Sequence, residues 1–111
     1  CKWCNLNNPL YVRYHDEEWC VPVYDDETLF KVIQQFGFDK QALVAVEELS
    51  ELQKEILKNV NRGENNREHL KEELVDVLIM LRQLVLIHDF MSEELNEIAN
   101  EKMERLKGYI K

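Results

Sequence analysis

Two groups of residues in this 111-residue chain could do chemistry. The first is a set of carboxylates. Glu47, Glu48 and Glu51 stand together, and 21 residues after Glu51 the triplet Glu72, Glu73 and Asp76 begins to repeat the arrangement. Glu48/Glu51 and Glu73/Asp76 are each spaced i, i+3, which on a helix puts both members on one face about one turn apart. Like charges that converge in a partly buried site are unfavourable unless a cation joins them. Hard oxygen donors of this kind suit Mg²⁺ or Mn²⁺. The plainer reading is a solvated acidic face. The E-x-x-[E/D] spacing occurs twice, however, each time at the edge of an apolar stripe, where a merely solvating acid is less expected. The second group is Cys1, Cys4, His15 and Cys20, three thiols and an imidazole that could form a tetrahedral Zn²⁺ set. Such a site would order a segment too short for its own core. The plainer reading is unligated thiols and a hydrogen-bonded histidine.

The elements that must position these groups divide the chain in two. Residues 1–24 hold all three Cys, both Trp, both Pro and three of the four Tyr, with no helical or strand period. They read as an irregular segment. From residue 25 to 111 Pro disappears, and apolar residues recur every three or four positions, the pattern of an all-α domain. Four helices follow from start and stop signals. Asp25 and Asp26 open the first, which ends near Phe36 with Gly37 as its stop. Asp39 caps a second, to about Lys58, whose Ala42, Val46, Leu49, Leu52, Ile56 and Leu57 form one packing stripe. Residues 59–66 read as a loop. Asn66 caps a third helix to about Asp89, and Ser92 opens a fourth that Gly108 closes. The third helix is apolar on several sides, so partners on more than one side, and hence an oligomer, are expected.

Composition narrows the function. A net charge of −8 disfavours a phosphate-backbone surface, so no nucleic-acid partner is expected. No apolar run approaches a membrane span. No export signal is visible, and three cysteines do not make a disulfide framework, so a cytoplasmic protein with reduced or metal-bound thiols is expected.

Glu48-x-x-Glu51, followed after 21 residues by Glu73-x-x-Asp76, resembles the ExxE…ExxD pattern of the MazG-like, all-α nucleoside triphosphate pyrophosphohydrolases. The text around it is similar too: Gly37-Phe38-Asp39-Lys40-Gln41, Val46 to Leu52, and Glu72 to Val77. The resemblance runs from about residue 28 to residue 111. It implies a helical protomer that dimerises into a four-helix bundle, as a homodimer or homotetramer. The implied reaction is hydrolysis of an NTP or dNTP to a monophosphate and pyrophosphate. By the family's pattern Glu48, Glu51, Glu73 and Asp76 would hold Mg²⁺ (or Mn²⁺), and Glu51, or else Glu47, would serve as base toward the attacking water. Lys54 and Lys58, one and two turns beyond Glu51, would meet the phosphates. Lys102 and Arg105 match basic positions the family often carries on its last helix. Ordinary surface charge is the other reading of these four. Met80 stands where many members carry an aromatic residue, which leaves base selectivity open.

The leader resembles a different family, DNA-3-methyladenine glycosylase I. The matching residues are Cys1-x-Trp3, the string Pro9-Leu10-Tyr11-Val12-x-Tyr14-His15-Asp16-Glu17-Glu18-Trp19, Val21-Pro22, Asp25/Asp26 and Leu29-Phe30. In that family the residues matching Cys1 and His15 are half of a zinc site, and the aromatic matching Tyr14 lines the base pocket. Cys20 replaces a usual glycine. No helix-hairpin-helix follows, so glycosylase activity is not expected. Cys4 and Cys20 could instead complete a zinc site in a repurposed segment. The chain thus reads as a glycosylase leader on a MazG-like body, joined near the first helix. The alternative to the enzyme is a non-catalytic helical interaction or regulatory protein that keeps the fold and its acidic face. A zinc-dependent binding module comes third.

Overall fold

The computed structural model describes residues 25–110, and among them the secondary structure is helical throughout. Four helices follow one another: α1 (Asp26–Phe36), α2 (Phe38–Arg62), α3 (Arg67–His88) and α4 (Ser92–Lys107). The expected all-α class is what the chain adopts. The helices fall into two compact units, with α1, α2 and α3 in one and α4 in the other. No helix among the described residues is long and apolar enough to cross a membrane.

Each boundary has a local cause. Asp25 begins α1 by accepting from the Glu27 amide at 3.1 Å and from Thr28 Oγ1 at 2.9 Å, which satisfies a donor that the first turn leaves open. Gly37, at φ +92°, ends α1 and directly precedes α2, so the second helix starts one residue ahead of Asp39 rather than being capped by it. α2 does not stop near Lys58 as its run of Asn residues suggests. It continues to Arg62 and ends on Gly63 in the left-handed conformation. There the Glu64 amide donates back to the Lys58 carbonyl at 3.2 Å, a turn whose left-handed residue an L side chain resists. Asn59 stays helical because its side chain ties the far side of the loop, donating to Glu64 O and Asn66 Oδ1 at 3.3 Å each. α3 begins after Asn66, whose carbonyl accepts from the Leu70 amide at 2.9 Å. In α4 the residue before the helix is Met91, so Ser92 is the first helical residue rather than the cap. Gly108 follows α4 in right-handed geometry.

α2 and α3 pair antiparallel across the short 63–66 loop, and α1 packs against both. Among the described residues, Leu29 and Ile33 of α1, Ala45 of α2, and Val77 and Met80 of α3 are the buried apolar ones. Arg82 on α3 grips Asp26 on α1 with two bonds, Nε to Oδ1 at 2.9 Å and Nη2 to Oδ2 at 2.7 Å, the fork-on-carboxylate geometry that fixes orientation as well as distance.

The packing stripe expected of α2 is not the one used inside this unit. Val46 (58% exposed), Leu49, Ile56 and Leu57 face outward with Leu43 and Val60 (72%), while Gln41, Ala45 and Glu55 are buried and Ala42, Glu48 and Leu52 half-buried. Apolar periodicity finds the greasier face of a helix. Here that face lies well round the helix axis from the one that meets α3.

Candidate metal centre

The inward face of α2 presents Glu48, and the facing side of α3 presents Glu73 and Asp76. One carboxylate oxygen from each lies within 4.8 Å of the others. Two helices thus bring together three of the four acids that the paired i, i+3 spacings put forward. Glu48 and Glu73 are half-buried and Asp76 is exposed, so the group opens toward solvent on one side. Glu73 Oε2 is shut off from water and has no hydrogen-bond partner. Burial, then the charges of Glu48 and Asp76, a hydrogen bond shared with Glu48 and the charge of Glu51 hold the Glu73 carboxyl above the usual glutamate range. A carboxylate oxygen buried beside two other acids is a donor of the kind that could hold a cation. Three hard oxygen donors at this separation fit a small divalent cation.

The remaining site residues divide. Glu51 lies outside the three-acid group, although its charge bears on Glu73. Glu47 and Glu51 are both exposed. Lys54 and Lys58 line a shallow hollow on the C-terminal half of α2 with Leu57, Asn61 and Arg62. Lys58 also pairs with Glu55 at 3.2 Å. Lys102 and Arg105 belong to α4, where they line a second hollow with Leu106 and Tyr109. Cys1, Cys4, His15 and Cys20 lie outside the described residues.

Polar residues that the sequence reading passed over turn out to be buried. Gln41 Nε2 donates to Gln83 Oε1 at 2.7 Å across the α2–α3 contact, and Gln83 Nε2 reaches Met80 Sδ at 3.6 Å. At the loop end Asn66 Nδ2 donates to both Glu55 Oε2 (2.7 Å) and Glu55 O (2.8 Å). The Asn66 bond, aided by Lys58 and opposed by burial, lowers the Glu55 pKa. The helix-cap reading of Asn66 gave its position correctly, but its side chain reaches back to α2. A seven-residue interval linking Gln41, Glu48 and Glu55 was the signal available in the sequence.

Comparison with known proteins addresses the N-terminal part. The methyladenine glycosylase family matches residues 3–42. DNA-3-methyladenine glycosylase 1 of Escherichia coli (strain K12) is 48% identical over 33 residues, which are 30% of this chain and 17% of that protein. The glycosylase resemblance of the leader is therefore real, and the family match reaches past it through α1 into the first turn of α2. No solved structure matches the chain.

Proposed function

We propose that the chain is a divalent-metal-dependent nucleoside triphosphate pyrophosphohydrolase, on a self-associating helical protomer of the MazG-like kind. The observation that carries this reading is the convergence of Glu48, Glu73 and Asp76 with one carboxylate oxygen buried and unpartnered. When bound, Mg²⁺ or Mn²⁺ supplies neutralisation of phosphate charge and a lowered pKa for water. The chain's own residues do the rest. Glu48, Glu73 and Asp76 hold the centre, with Glu51 one turn along α2 as a fourth donor or as the base. Glu51, or Glu47, takes a proton from the attacking water. The water oxygen bonds to the α-phosphorus, the bond from that phosphorus to the bridging oxygen breaks, and pyrophosphate leaves with the β- and γ-phosphorus. Lys54 and Lys58 follow the acids along α2 and receive the charge of the leaving group. Lys102 and Arg105 are the further cations of this reading.

The test is incubation with a panel of NTPs and dNTPs in Mg²⁺ and in EDTA, following monophosphate and pyrophosphate together. Metal-dependent release of both is expected, and Glu73→Gln is expected to lower turnover by at least about 100-fold, the scale of losing a positioned charge at a reacting centre. Wild-type turnover in that variant would refute the metal site.

The glycosylase match favours a second reading, hydrolytic release of a damaged base from DNA. Methylated DNA belongs in the same assay. Base release that survives both EDTA and Glu73→Gln would favour it over the first. Silence on every substrate, from folded protein, would leave the non-catalytic helical protein.

A further inference from the structure

The α2–α3 contact carries polar residues at a fixed interval. On α2 they are Gln41, Glu48 and Glu55, each seven residues after the last. Each meets polar partners on α3 or at its start: Gln83 at 2.7 Å from Gln41, Glu73 and Asp76 within 4.8 Å of Glu48, and Asn66 at 2.7 Å from Glu55. At 1.5 Å rise per residue the three layers are about 10.5 Å apart, with Ala45 and Leu52 between them. The outer two layers are hydrogen-bonded. The middle one gathers three acids whose oxygens lie within 4.8 Å of one another, one of them a buried Glu73 oxygen that meets no donor.

Apolar packing alone would not hold that middle layer together. From Val77 to Ile87 only Arg82 and Gln83 are polar. A slide of α3 by one turn along α2 would therefore exchange one aliphatic residue for another at little loss, and would relieve the repulsion. It would also set Gln41 against Ile79 or Ile87, and draw Asn66 away from Glu55. A buried amide or carboxylate left without a partner is strongly disfavoured, and polar residues at core positions of paired helices are known to fix register.

We infer that Gln41–Gln83 and Glu55–Asn66 are register locks: positioning residues that hold Glu48, Glu73 and Asp76 together against their own repulsion, before a cation is present. The lock itself does not depend on the metal reading. Its consequence for cation binding does.

The deciding experiment is a mutant cycle on the full chain in EDTA, read by thermal unfolding. In the wild-type background Glu73→Gln relieves the crowding of acids and should raise the melting midpoint by about 4 °C. In the Gln41→Leu/Gln83→Leu background, where both amides are replaced so that neither is left unpartnered, the same substitution should shift the midpoint by less than about 1 °C. If that pair does not fold, Asn66→Ser, which removes the bonds to Glu55, carries the test by the same criterion. A Glu73→Gln shift as large in the lock variants as in wild type overturns the inference. So does the absence of a shift in wild type, since there would be nothing to resist. Titration with Mn²⁺ alone then separates the two readings. Binding about tenfold weaker in the lock variants is expected, as for other outer-shell groups that orient ligands. Coupling in EDTA with no Mn²⁺ binding by the wild type would leave the locks standing and remove the metal centre. Undiminished binding with no coupling would remove the locks alone.

Discussion

Glu55 and Glu73 are acids with opposite shifts, and their effects on stability have opposite signs. The pKa of Glu55 is lowered on folding, first by Asn66 and then by Lys58. Its contribution is therefore present above the unfolded glutamate value of about 4.3 and is lost as pH falls through the lowered folded value. The pKa of Glu73 is raised by burial and neighbouring acids. Its contribution is present below about 4.3 and is lost as pH rises through the raised value. Thermal unfolding in EDTA from pH 3 to pH 7 should show both. Glu55→Gln should flatten the loss on the acid side, and Glu73→Gln the loss toward neutrality; parallel curves for all three proteins would contradict these assignments. At this scale Glu48, Glu73 and Asp76 were legible in the sequence because i, i+3 pairs on two successive helices force a shared face. Gln41 and Glu55 were not, because a polar residue reads as solvent-facing unless its distance from another buried group is noticed. Glu51 was placed in the cluster by pattern, yet it lies outside the three oxygens that meet.

Among the elements, the ends of helices carry the testable content. Gly63 sits at φ +64° with nothing within 4 Å of a Cβ built there. Gly63→Ala should therefore lose stability through backbone strain alone, by about 1 kcal/mol, and Gly63→Asn by less, since Asn tolerates this conformation. Equal stability of all three by urea unfolding would show that the loop relaxes freely. Arg82→Met keeps the aliphatic stem and removes both bonds to Asp26. It should loosen α1 selectively, seen as faster amide exchange in 26–36 with α2 and α3 little changed. Helix starts and stops were largely readable: Asp25, Gly37 and the onset of α3 after Asn66 are where capping chemistry puts them. The last turn of α2 was not. Four residues rich in Asn look like a loop, until Gly63 supplies the left-handed stop and Asn59 gains partners across the turn. The face of α2 that packs was also hidden, because the more apolar stripe points elsewhere.

On the scale of the whole molecule, that outward stripe gives the self-association proposed above a direct test. Val46 and Val60 lie on the exposed apolar side of α2, away from the acidic centre. Sedimentation equilibrium should return a mass of two or four chains, and Val46→Glu/Val60→Glu should reduce it to one while the helical signal is kept. A monomer in the wild type would remove that part of the reading. The match at the other end of the chain bears on descent. The glycosylase-like stretch runs to residue 42, so Asp26, Leu29, Ile33 and Gln41 lie inside it, while Arg82 and Gln83, which receive Asp26 and Gln41, lie outside. The stretch that matches the family and the stretch that folds together have different bounds here. A side chain on each side of residue 42 completes a bond begun on the other. An expression boundary drawn where the similarity ends would cut through a continuous helix and take half of two interlocking pairs with it; one drawn at residue 25 keeps both.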